Sequence, residues 1–169
     1  MKRFLIILLL APFVLLTTGC TVKYSLSGAS IPPDAKTFSV AYFPNNAPMV
    51  APTLSALLTD ELTQKFATST RLTQVQDGGD FAFEGEIVGY TSTTSSVSSG
   101  DYALQNRLTI TVKVKFTNAI DDKMSFNKTF SAYADYDSTR LLTEVQDELI
   151  TEIVNQLVTD IFQAAASNW

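Results

Sequence analysis

Histidine is absent from all 169 residues, and cysteine occurs once, as Cys20. The first absence removes the side chain that most often serves as general base, proton shuttle and metal ligand near neutral pH. The second leaves no partner for a disulfide. Basic residues are also few, 12 Lys and Arg against 17 Asp and Glu. That balance cannot assemble the positive surface nucleic acid requires, so no nucleic-acid partner is expected. No metal and no cofactor are expected, and catalysis would have to rest on carboxylates, Lys, Ser or Tyr alone. The longest apolar run, Phe4 to Leu16, falls short of the roughly 20 residues that cross a bilayer.

What is present at the amino end is an export signal. Lys2 and Arg3 precede that apolar run, and Thr17, Thr18 and Gly19 lead to Cys20. A basic start, a short apolar core and a small residue before the cut form a cleaved secretory leader. Because the cut falls before the only cysteine, residues 1–19 are read as a lipoprotein signal peptide and Cys20 as the site of lipid attachment. The position three before the cysteine holds Thr17 where leucine is usual, with Leu16 one step further back. An acylated Cys20 has no free thiol. Each buried acyl methylene contributes about 0.8 kcal/mol, so several chains hold the protein firmly on its membrane. Thr21 in place of an aspartate, and no acidic cluster after the cysteine, point to the outer membrane and its periplasmic side.

Without residues 1–19 the chain keeps 150 of its 169 residues, enough for one domain. The 12 basic residues less Lys2 and Arg3 leave 10 against 17 acidic ones, a net charge of −7. Residues 20–35 are small and polar and end at Pro32 and Pro33, which read as a tether. Residues 36–169 read as a single α+β domain.

Within it, Lys36 to Phe43 alternates as a short strand with Phe38, Val40 and Tyr42 on one face. Leu54, Leu57, Leu58, Leu62 and Phe66 recur at helical spacing and predict a helix over about Val50 to Ala67, with Pro52 in its first turn. Leu72 to Gln76 is a candidate fifth strand. From Phe81 the period becomes two, predicting a strand to about Thr93, followed by a Ser/Thr-rich hairpin tip spanning Thr91 to Asp101. That tip is a candidate for insertion into a partner's wall. Leu108, Ile110, Val112, Val114 and Phe116 mark the next strand, and Met124 to Ser131 a third antiparallel one. The last helix is predicted from an N-cap at Thr143, with Gln146 completing the box, to about Ala165. Its stripe of Val145, Leu149, Ile153, Leu157 and Ile161 is widened by Ile150, Val154, Val158 and Phe162, so it must meet a second surface. The expected architecture is a two-layer sandwich, with two helices on one face of a mostly antiparallel sheet of four strands, or five with Leu72 to Gln76.

Tyr24 to Ile31, Tyr42 to Pro48, Asn106 to Val112 and the tail from Asp147 to Trp169, taken in that order, resemble the LptE-type lipopolysaccharide-assembly lipoproteins. The resemblance implies two helices on a four-stranded sheet. It also implies an outer-membrane lipoprotein that plugs the lumen of the β-barrel protein LptD, binds lipopolysaccharide and helps deliver it to the outer leaflet. It supplies no ligand contacts residue by residue.

The site must therefore come from the residues themselves. Arg107, Lys113 and Lys115 are three cations on one strand face of an acidic protein, and they are the candidate contacts for lipopolysaccharide phosphates. A hairpin centred near Ser99 places Glu86 opposite Lys113 and Glu84 opposite Lys115, which offers ordinary cross-strand ion pairs as the competing explanation. Arg107 faces no acid in that register and is the leading candidate. Asp135, Tyr136 and Asp137 read as turn carboxylates, since they lack calcium-loop spacing. Tyr133 and Tyr136 could touch sugar or finish a core edge. Two rival functions carry less weight. A free-standing lipid carrier would need an apolar cavity that four or five strands do not enclose. A hydrolase built on Glu84 and Glu86 would have its carboxylates beside lysines and outside any cleft.

Overall fold

The computed structural model describes residues 31–49, 51–95 and 104–166. Cys20, the leader and the tether up to Ser30 lie outside the described residues, as do the hairpin tip beyond Ser95 and the last three residues. The elements, in order, are β1 (Thr37–Val40), α1 (Leu54–Ser69), β2 (Thr73–Gln74), β3 (Phe81–Ser95), β4 (Gln105–Asn118), a 3-10 turn (Asp122–Met124), β5 (Phe126–Asp137) and α2 (Leu142–Ala166). The five strands form one sheet in the order β2-β1-β3-β4-β5. β1 runs parallel to both β2 and β3, while β3, β4 and β5 form an antiparallel meander. The expected α+β sandwich is present, and the candidate fifth strand exists as the two residues of β2.

Alternation fixes which side of the sheet is covered. Leu108, Ile110, Val112, Val114 and Phe116 of β4 are all within 1% of full burial, whereas Lys113 and Lys115 between them are exposed. Both helices lie on the first side. α1 contributes Leu54, Leu58, Leu62 and Phe66, all at 0% exposure. The wide stripe of α2 is explained by two neighbours: the helix packs on β4 and β5 and also against α1. Ala132 and Ala134 on β5 are small and buried, which lets the helix backbone approach the sheet there. At the other end of the sheet the core is aromatic, with Phe66 4.6 Å from Phe83 and 5.0 Å from Phe162, and Phe116 4.9 Å from Phe83.

Several boundaries differ from expectation for physical reasons. β1 ends at Val40, because Tyr42 is 62% exposed and Phe43 turns inward at 0%. The segment just past the expected strand, Pro44 to Asn46, pairs with β3: Asn46 N donates to Ile87 O and Ile87 N donates to Pro44 O. α1 starts at Leu54, with Pro52 and Thr53 in the preceding turn. A bulge between Ile87 and Gly89 resets the β3 alternation: Val88 keeps its outward place, and Tyr90, which strict alternation would turn outward, is buried. Thr91 to Ser95, expected in the tip, still pair with β4. β5 extends to Asp137, which places Asp135, Tyr136 and Asp137 in a strand where a turn was expected. α2 begins before Thr143; Glu144 reaches back to the Leu141 amide at 3.3 Å, taking the role expected of Gln146.

Candidate functional site

The face of the sheet opposite the helices carries the candidate cations, because odd-numbered β4 residues alternate away from the core. Glu84 stands opposite Lys115 and Glu86 opposite Lys113, the register expected from the hairpin. The two pairs then behave differently. Lys115 Nζ lies 3.0 Å from Glu84 Oε2, with both side chains more than half exposed. Such a pair contributes at most about 1 kcal/mol. Glu86 turns instead to Asn46, whose Nδ2 donates to its Oε2 at 2.7 Å. That leaves the exposed Lys113 without an ion pair among the described residues.

Lys113 and Lys115 line an open groove of about 290 Å³, bounded by Pro44, Glu84, Glu86 and Asn127. Its floor is shaped by Gly85. A Cβ at that position would come within 2.5 Å of the Phe43 ring and closer still to the Lys113 carbonyl oxygen. The inward turn of Phe43 and the position of the β4 backbone under Lys113 therefore both require glycine there.

Arg107 is not free, although the β3 register sets no acid opposite it. Its Nε donates to Asp135 Oδ1 at 2.7 Å and its Nη2 donates to Asp135 Oδ2 at 2.8 Å. The acid comes from β5, the strand on the other side of β4, where Arg107 pairs with Asp135. The guanidinium holds the Asp135 carboxyl below the usual carboxylate range, and the same hydrogen bonds push Arg107 up. Six residues of strand, about 20 Å, separate Arg107 from Lys113, so the three cations do not form one cluster.

The two tyrosines also separate. Tyr136 faces the core at 8% exposure and shares a hydrogen bond of 2.7 Å with Ser92 Oγ. Tyr133 faces outward at 49% exposure, with the Arg107 guanidinium 3.6 Å from its ring centroid. Inside, the Tyr90 hydroxyl is buried with no partner, and this desolvation raises its pKa. Asn46 and the pair Thr111 and Ser131, whose hydroxyls lie 3.1 Å apart, were not singled out from the sequence, and Asp135 was read as a turn carboxylate and not as the partner of Arg107. Centring the second hairpin on Asp121 would have revealed Asp135 opposite Arg107.

The described residues hold no cluster of acidic or sulfur ligands suited to a metal. No helix among them is long and apolar enough to cross a membrane. The space between helices and sheet, where a lipid carrier would need its cavity, is occupied by side chains such as Phe66, Phe83, Leu157 and Ile161.

The model of the LptE family, described as lipopolysaccharide assembly, matches residues 35–165. No curated protein matches the chain. Among solved structures, the hypothetical protein CT253 of Chlamydia trachomatis is 10% identical with a TM-score of 0.52, covering 79% of this chain and 99% of its own. Protein XCC0632 of Xanthomonas campestris is 13% identical with a TM-score of 0.51, over 81% and 88%. The rare lipoprotein B of Shewanella oneidensis is 12% identical with a TM-score of 0.40, over 76% and 90%. The first two share the fold with this chain.

Proposed function

We propose a function from one premise: the chain belongs to the LptE family, whose work is lipopolysaccharide assembly. It is a lipoprotein of the outer membrane, held on the periplasmic side through an acylated Cys20 after removal of residues 1–19. It partners an LptD-type β-barrel and binds lipopolysaccharide for passage to the outer leaflet. It works by binding and positioning, with no covalent chemistry. The match over residues 35–165 carries this reading.

The chemistry of the outward face supports it. In a chain of net charge −5, falling to −7 once Lys2 and Arg3 leave with the leader, an anion is attracted only where a cation escapes neutralisation, and Lys113 is placed to do so beside the groove. Lys115 adds a second charge shared with Glu84, and Arg107 contributes through its hold on Tyr133 more than as a free cation.

The direct test is to isolate the palmitate-labelled protein from membranes in mild detergent and identify what accompanies it. Label on Cys20, a co-eluting barrel and bound lipopolysaccharide are expected. Recovery of unlabelled protein alone from the soluble extract would overturn the reading.

A further inference from the structure

We propose that the outward sheet face between Tyr133 and Lys113 is a berth for a phosphorylated pyranose, with Tyr133 stacking on the sugar and Lys113 receiving its phosphate. The inference rests on the lipopolysaccharide reading above and assigns the saccharide part of that ligand to named residues.

The berth is built from three successive cross-strand rows. At one end Tyr133 pairs with Thr109 on β4. Its ring is fixed: Arg107 lies over one face at 3.6 Å and is itself clamped by Asp135 in the neighbouring row, on the hairpin-tip side. The opposite ring face therefore looks along the strands toward the next row, consistent with the residue's being about half exposed. That row is Gly89, Thr111 and Ser131, with the bulged and exposed Val88 beside Gly89 at its β3 end. Over β4 and β5 it is low, carrying only two short hydroxyl side chains. Gly89 adds none, and a Cβ there would lie 3.0 Å from the Thr111 Cβ. The row beyond holds Glu86, Lys113 and Thr129. Four residues of β4, about 14 Å, separate the row of Tyr133 from that of Lys113, which leaves room for one sugar ring and its substituent.

Each wall matches part of such a ligand. The C–H face of a pyranose carries slight positive charge and packs against the negative face of an aromatic ring. The bonded hydroxyls of Thr111 and Ser131 keep one proton and several lone pairs to exchange with sugar hydroxyls. The Lys113 ammonium at the far end has no carboxylate bound to it, since Glu86 is held by Asn46. An aromatic wall that is already immobilised loses little conformational freedom when the ligand arrives.

The test uses the full lipidated protein in detergent micelles and the water-soluble saccharide obtained by stripping the acyl chains from lipopolysaccharide. The saccharide is titrated with its phosphates intact and again after phosphatase treatment. Tyr133→Ala should weaken both forms about tenfold, with Tyr133→Phe close to the parent, since the ring and not the hydroxyl does the stacking. Lys113→Gln should weaken only the phosphorylated form, by a factor on the order of ten. Unaltered affinity in a Tyr133→Ala protein with parental circular dichroism overturns the berth. So does a parent that binds intact lipopolysaccharide but not the stripped saccharide, a result that leaves the proposed function standing. A parent that binds neither removes both.

Discussion

Arg107 and Asp135 face each other across the β4–β5 ladder and are joined by two hydrogen bonds of 2.7 and 2.8 Å. This relationship changes what charge reversal at Arg107 should do. Arg107→Glu sets a second carboxylate against Asp135 and releases the Tyr133 ring, so the expected result is a thermal midpoint lowered on the order of 2 °C. The double swap Arg107→Asp with Asp135→Arg should recover most of that loss in the same melt. A midpoint that never moves would show that the pair contributes nothing to stability.

Asp80 contributes to the acid sensitivity of the fold. Its Oδ2 accepts hydrogen bonds from the Lys36 and Thr37 amides, at 2.8 and 2.9 Å, and from the Thr37 hydroxyl at 3.0 Å. The backbone bonds, that from Lys36 foremost, hold its carboxyl below the ordinary value of 3.8. A group with a depressed folded pKa stabilises fully above its unfolded value, and the contribution fades as pH falls through the folded one. Asp80→Asn should therefore cost about 1 kcal/mol at pH 7, allowing for solvent screening. The difference between variant and parent should shrink as denaturation is repeated below pH 4.

Gly85 is the tightest point beneath the groove. Gly85→Ala forces a methyl toward the Phe43 ring and the Lys113 carbonyl. Overpacking of this kind costs about 1–3 kcal/mol, read as a lower urea midpoint with an unchanged slope. Because the β4 backbone must give way, Lys113 should shift too, and its side-chain NMR signals report that.

Phe66 ties the helices to the sheet, meeting Phe38 at 5.8 Å, Phe83 at 4.6 Å and Phe162 at 5.0 Å. Phe66→Ala should destabilise by about 3–5 kcal/mol, a large share of the roughly 5–15 kcal/mol by which a domain is stable. Phe66→Leu should cost clearly less in the same titration.

The parts of the fold legible in the sequence are those governed by periodicity. Val112 and its neighbours had to face a core, and the register of Glu84 with Lys115 followed from the position of the hairpin tip. What escaped depended on interactions between segments far apart in the chain. Phe43 turns inward because Gly85, 42 residues later, leaves space for its ring. The bulge at Val88 resets an alternation that no local residue contradicts. Glu86 is drawn from Lys113 by Asn46, which lies 40 residues earlier in the chain. Arg107 was judged against one neighbouring strand, although a central strand has two. The candidate site was thus legible as a face and a set of cations, while the division of those cations between paired and available was not.

The parallel pairing of β1 with β3 has a consequence for how the protein is made. β3, β4 and β5 follow one another through reversals and can zip from nearby contacts, with α2 next in line to cover them. β1 has to close a loop of about forty residues before its few pairings with β3 repay the entropy, and such closures are slow. The strand that comes first in the chain is therefore expected to be seated last. Until β3 is in place Phe38 has no sheet to enter, and the amino-terminal segment must be kept from sticking elsewhere while it waits.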